Sequence, residues 1–202
     1  MDEIVQRGMA KWPNVPSVYG WLSLDRRGHW LIKGERIGNP LVTEFIGRNY
    51  ARDERGCWFF QNGPQRVFVN LDYTPLVYRV ASTGGAPLGL ETHSGKPVAG
   101  LSGVWLDEQG SLLLESEHGV GTVHDRDLDR LLPYFIDANG NPLPEAVLDE
   151  LMELAQQGQP VPLWLKFHDT HLKIESIASG DASRHFGFVA QPEPPAGEEV
   201  CR

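Results

Sequence analysis

Apolar positions along the first eighty residues alternate between two periods. Ile4, Val5 and Met9 lie near one face of a short helix over Asp2–Lys11, which starts on two acids and is stopped by Pro13 and Pro16. A period of two follows: Tyr19–Leu24 and His29–Lys33 read as strands joined by Asp25-Arg26-Arg27-Gly28. In such a turn the last residue needs a positive φ, which glycine adopts without a Cβ clash. The helical period returns at Asn39, a cap, followed by Pro40 in the first turn. Leu41, Val42, Phe45 and Ile46 form one stripe, so a helix is expected over 39–50. Asp53–Gly56 repeats the turn before Cys57–Phe60, and Asn62-Gly63 marks a tight hairpin into Arg66–Leu71. There Val67, Val69 and Leu71 face one way, Phe68 and Asn70 the other, and Pro75–Val80 is expected to continue the same sheet.

Ser82–Gly85 is the best linker. Beyond it, short strands are predicted around Leu88–Thr92, Gly103–Leu106 and Ser111–Glu115. Asp125 is read as the cap of a short helix carrying Leu128, Leu131 and Leu132 before Pro133. A longer helix spans 144–157, with Val147, Leu148, Leu151, Met152 and Ala155 inward, and Leu163–Phe167 with Leu172–Ile177 form a last hairpin. Asp-x-x-Gly occurs at 25–28, 53–56, 107–110 and 137–140 at uneven intervals, which makes it a reused turn rather than a solenoid repeat. The fold class that follows is α+β: curled antiparallel sheets in two roll-like halves, covered by three to four helices. The halves are expected at 1–81 and 86–190, with a disordered polar, Pro-rich tail at 191–202.

Composition narrows the class. At 41% hydrophobic residues, with six Trp and eight Phe among 202 residues, the chain can bury a core. No apolar run approaches the roughly 20 residues of a membrane span, and the start lacks a basic, apolar leader, so the expected location is the cytoplasm. Two cysteines, Cys57 and Cys201, do not make a disulfide scaffold. The net charge of −9 is uneven: residues 1–100 hold 12 Lys and Arg against 9 acids, residues 101–202 only 6 against 18. The acidic half argues against nucleic acid and anionic membrane as partners.

Four motif look-alikes fail on chemistry. Gly89–Pro97 has one residue too many for a P-loop and Pro97 where a hydroxyl should meet Mg²⁺; Gly100-Leu101-Ser102-Gly103 lacks the spacing of a nucleophile elbow. Gly119-Val120-Gly121 has no third glycine. Asp125–Arg130 places Arg130 where an EF-hand loop needs Gly, with Ile136 in place of its last Glu. Two clusters remain. His168, Asp169 and His171 lie in a hairpin turn and would hold Zn²⁺ if His185, His124 or His118 converged on them, the basis of an alternative reading as a metal-dependent hydrolase; the plainer reading is a solvent-facing turn. Trp21, Trp30, Tyr50, Trp58, Phe59, Phe60 and Arg66 would suit stacking on single-stranded nucleic acid, an alternative reading, although core packing explains the same residues more cheaply. Cys57, inside a strand, reads as a packed thiol.

The segments Lys11-Trp12-Pro13-Asn14-Val15-Pro16, Tyr19-Gly20-Trp21-Leu22, Asp25–Trp30, Phe45–Tyr50 and Trp58–Val67 resemble an uncharacterised bacterial family of unknown function, and the likeness extends through Trp105–Gly110 and Glu117–Gly121. Gly34–Ile37, Val67–Val69 and Pro75 give a looser resemblance to another uncharacterised proteobacterial family with a double α+β roll. The resemblance implies fold and bacterial, cytoplasmic origin only, and brings no activity or catalytic residue to carry over. The expected function is therefore a non-catalytic binding or adaptor domain, in which Arg48, Asn49, Arg52, Gln61, Asn62, Gln65 and Arg66 offer donors to an anionic small molecule or an acidic protein segment. No cofactor is implied, and a homodimer is compatible with the sequence.

Overall fold

A computed structural model describes residues 1–12, 15–82, 87–197 and 200–201. The fold is α+β, built on two curled sheets, and the chain divides into two compact units: Met1–Pro75 with Gly187–Arg202, and Leu76–Phe186. Most of the linker expected at 82–85 lies outside the described residues.

The first unit opens with helix α1 (Glu3–Lys11), followed by β1 (Ser17–Leu24), β2 (Trp30–Ile32), β3 (Glu35–Arg36), helix α2 (Pro40–Arg48), β4 (Tyr50–Arg52), β5 (Trp58–Asn62) and β6 (Gln65–Leu71). Its strand order is β3-β2-β1-β6-β5-β4, antiparallel except where β1 and β6 run parallel. Asn39 caps α2 as expected, its side chain accepting from the Leu41 amide at 3.0 Å. On one face of the sheet α2 sets Phe45 edge-on to Phe60 at 5.5 Å. On the other, Tyr19 stacks on Phe68 at 4.5 Å beside Cys57, Phe59 and Val189. Successive residues of β6 therefore bury on opposite faces, Phe68 on one and Val69 on the other.

Residues 187–190 belong to this unit. The Val189 amide donates to the Gly56 carbonyl at 3.0 Å, and the Leu71 amide to the Ala190 carbonyl at 2.8 Å. Of the segment expected as a disordered tail, Val200–Cys201 pairs parallel with Ser17–Val18, while 198, 199 and 202 lie outside the described residues.

The second unit contains β7 (Leu76–Ser82), β8 (Gly89–Thr92), β9 (Leu101–Asp107), β10 (Leu112–Ser116), β11 (Gly119–Val123), 3₁₀ turns at Asp125–Asp127 and Asp129–Tyr134, β12 (Phe135–Ile136), helix α3 (Glu145–Gln156), β13 (Trp164–Phe167), β14 (Thr170–Ile177) and helix α4 (Ala182–Phe186). Its order is β12-β13-β14-β9-β10-β11-β7-β8. Strand β7 does not continue the first sheet: it runs parallel to β11 in the second. Gly121 makes that approach possible, because a Cβ there would lie 2.8 Å from both the Cβ and the carbonyl oxygen of Leu76. Leu112, Leu113 and Leu114 are all fully buried, the mark of a central strand covered on both faces. Helix α3 falls where its period placed it and buries Leu148 and Ala155, although Val147 stays 40% exposed.

The four Asp-x-x-Gly segments fold alike. In each, one carboxylate oxygen accepts from the amides two and four residues on, at 2.7–3.0 Å: Asp25 from Arg27 and His29, Asp53 from Arg55 and Cys57, Asp107 from Gln109 and Ser111, Asp137 from Asn139 and Asn141. Gly28, Gly56, Gly110 and Gly140 all have φ near +80°.

Candidate functional site

The hairpin of β5 and β6 turns at Gly63-Pro64, one residue later than the Asn62-Gly63 reading. Gly63 has φ +57° in the first central position, the requirement of a II′ turn, and Pro64 follows with its fixed φ. This register sets Gln61 directly opposite Arg66. Helix α1 lies against the turn: a Cβ on Gly8 would meet the Gly63 Cα and the Pro64 Cδ at 3.4 Å. Met9, Trp12, Val15, Ser17, Gln61, Pro64 and Arg66 line the resulting recess of about 440 Å³.

Three features give the recess its chemistry. The Arg66 guanidinium lies over the Phe59 ring at 4.8 Å, and among the described residues no carboxylate pairs with it. Gln61 is 1% exposed; its Nε2 donates to the Gly63 carbonyl at 2.9 Å, while its Oε1 is buried with no donor among the described residues. Trp12, directly after α1, presents an indole that is 58% exposed. Neither Trp12 nor Met9 is in the polar set read from the sequence. The available signal is a large aromatic residue standing between a helix end and two prolines.

The rest of the set does not converge on this recess. Asn49 is a buried brace: its side chain accepts from the Asp2 amide at 2.8 Å and donates to the Phe45 carbonyl at 2.9 Å and to the Asp2 carboxylate at 3.3 Å. Arg48 pairs with Asp2 at 3.3 Å, and Arg52 donates to the Gly187 carbonyl. Gln65 donates to the Pro16 carbonyl at 3.1 Å. Asn62 lies in a different, apolar groove. Replacing Asn49 with alanine is accordingly expected to lower unfolding free energy by about 2 kcal/mol through the lost buried hydrogen bonds, measured by urea denaturation.

In the second unit His168 and Asp169 are the two central residues of the β13–β14 turn, and His168 has φ +51°. Both border a cleft of about 670 Å³ with Lys166 and Tyr134. His171 sits one pair along, opposite Lys166, with its ring near Gly140. The third donor does not arrive: His185 and its neighbour Phe186 pack on Trp105, His124 caps the first 3₁₀ turn through the Arg126 amide, and His118 bonds the Pro97 carbonyl. Among the described residues no group of three or more His, Cys, Asp or Glu is placed to hold a metal ion.

Of the aromatic cluster, Trp30, Tyr50, Trp58, Phe59 and Phe60 are buried, leaving Trp21 as its one partly exposed ring and Arg66 as its exposed cation. Burial pushes the Cys57 thiol above its usual range, with Asp53 adding to the effect, which suits packing rather than nucleophilic attack. No helix among the described residues is long and apolar enough to cross a membrane.

A family model described as "Protein of unknown function (DUF2946)" matches residues 1–193. No curated protein matches. A crystal structure of a DUF1285 family protein from Silicibacter pomeroyi DSS-3 is similar with a TM-score of 0.54 at 15% identity, over 81% of this chain and 85% of that one. A second, from Shewanella baltica OS155, gives a TM-score of 0.39 at 16% identity over 57% of this chain and 90% of that one. The first likeness shows the α+β fold.

Proposed function

The chain belongs to this family of unknown function, and from that premise we propose that its first unit is a binding module for an acidic protein segment. The observation that carries the reading is the meeting on one recess of Arg66 and the Gln61 Oε1, the first with no carboxylate and the second with no donor among the described residues. A buried acceptor left unpaired is costly, and a ligand bringing an N–H relieves it. A peptide backbone brings that N–H, whereas a simple inorganic anion does not. An Asp or Glu side chain of the same peptide reaches the Arg66 guanidinium as a bidentate partner, with Met9, Trp12 and Pro64 as the apolar wall. The chemistry required is recognition alone.

The test is fluorescence anisotropy with labelled eight-residue peptides carrying aspartate at every second position, against the same peptides with asparagine. Arg66→Glu is expected to weaken the aspartate series at least about tenfold, because it replaces attraction by repulsion at an exposed residue whose loss leaves the core intact. Full displacement of the peptide by inorganic phosphate would replace this reading by a small-anion site. Absence of peptide binding, or equal binding by Arg66→Glu, would remove the reading.

A further inference from the structure

The opposite side of the same hairpin borders a second recess, of about 310 Å³, lined almost wholly by apolar side chains: Trp21 and Leu22 of β1, Ile32 of β2, Val42 and Ile46 of α2, and Phe60 of β5 among them. Such a volume, apolar with few polar groups, is that of a small-molecule site. Its construction departs from a regular sheet. Trp21 and Leu22 are consecutive, so a regular strand would send them to opposite faces. Both line the recess because β1 bulges against β6: the register runs from Val18 opposite Val67 to Leu22 opposite Val69, with Gly20 at φ +74° between. Bulges re-aim side chains in this way beside functional sites.

A second irregularity converges on the same indole. The β2–β3 turn centres on Lys33 and Gly34, with φ +50° and +86°, a pattern for which glycine or asparagine suits the first position better than lysine. The strained lysine holds its backbone amide on the Trp21 carbonyl at 2.8 Å and its ammonium 3.9 Å from the Trp21 ring centroid. Among the described residues no carboxylate pairs with that ammonium. At the far side Asn62 offers a carboxamide. From β2 across β1 and β6 to β5 the recess crosses four adjacent strands, about 14 Å at the usual strand spacing.

We propose that this groove binds a free medium-chain carboxylic acid, its aliphatic chain lying across β1 and β6 beneath α2 and its carboxylate on the Lys33 ammonium. The apolar wall takes the chain, and Trp21, 39% exposed, is the surface that binding covers. The Lys33 ammonium, held against the Trp21 ring that lines the recess and with no carboxylate on it among the described residues, selects an anionic head over a neutral one.

The experiment is isothermal titration of the full chain with sodium decanoate, below its micelle concentration, and with 1-decanol. Lys33→Gly removes the ammonium while giving the turn the residue its φ favours, so the fold is kept. It is expected to weaken decanoate at least about fivefold and leave decanol unchanged. Val42→Glu puts a carboxylate at the third position of α2, where acids suit the helix start, and is expected to weaken both ligands more than about tenfold. Binding of neither ligand to the unaltered chain, unchanged binding to Val42→Glu, or unchanged decanoate affinity in Lys33→Gly would overturn the assignment.

Discussion

Asp127→Ala is expected to lower unfolding free energy by about 3 kcal/mol at pH 7, among the largest losses from any single polar side chain here. Asp127 is 3% exposed. It accepts from the Arg79 Nε at 2.6 Å, the Arg130 Nη1 at 3.0 Å and the Val80 amide at 3.2 Å, and Arg130 continues to the Val80 carbonyl at 2.8 Å. One carboxylate thus ties strand β7 to both 3₁₀ turns. Its removal leaves a buried amide without this acceptor and two guanidinium groups facing each other. Both arginines are more than a third exposed, so water screens them, which holds the loss near 3 rather than 5 kcal/mol.

The pH dependence has a definite sign. Burial pushes the Asp127 carboxyl up, but hydrogen bonds from Arg79, Arg130 and the Val80 amide outweigh it and hold the group below its ordinary value. A depressed folded value stabilises fully above the unfolded carboxyl value, about 3.9, and the contribution disappears as pH falls through the depressed value. Urea denaturation of the unaltered chain and Asp127→Ala is therefore expected to differ most at pH 6–8 and to converge towards pH 2. Equal stability at neutral pH would show that the triad is not formed.

Local chemistry was legible in the sequence where a residue type answers a backbone need. Asn39 with Pro40 starts a helix, four Asp-x-x-Gly segments make one turn, and the period of α3 names two of its buried residues. Pairing between distant strands was not. The β1–β6 contact joins strands some forty residues apart in parallel, and β7 pairs with β11 in the second sheet, where Gly121 admits Leu76; no local pattern in these segments announces either pairing. The candidate site divides the same way. Gln61 and Arg66 were readable as members of one hairpin, but a turn at Asn62-Gly63 sets Gln61 opposite Pro64, and only the turn at Gly63-Pro64 opposes it to Arg66. Asn49, Arg48 and Gln65 were equally polar on paper, but Asp2 and the Pro16 carbonyl take up their hydrogen-bonding groups, and no local pattern names those partners.

Gly56→Ala is expected to cost about 3 kcal/mol, and its counterpart Gly140→Ala about 1 kcal/mol, although both occupy the same place in an Asp-x-x-Gly turn. The shared part is conformational: φ is +85° at Gly56 and +84° at Gly140, a region that costs an L-residue roughly 1–2 kcal/mol. The difference lies in what a Cβ meets. At Gly140 it reaches the His171 Cε1 at 3.1 Å, the end of an exposed ring that swings aside. At Gly56 it strikes the Gly187 carbonyl oxygen, a backbone atom that also accepts from Arg52. Relief requires the segment 187–190 to lift, and with it the hydrogen bonds from Val189 to Gly56 and from Leu71 to Ala190. Overpacking against backbone has a cost of about this size. Amide exchange at Val189 and Leu71 should therefore accelerate in Gly56→Ala and stay unchanged in Gly140→Ala. Equal losses in the two variants, with exchange at Val189 and Leu71 unaltered, would mean that the returning segment does not press on this turn.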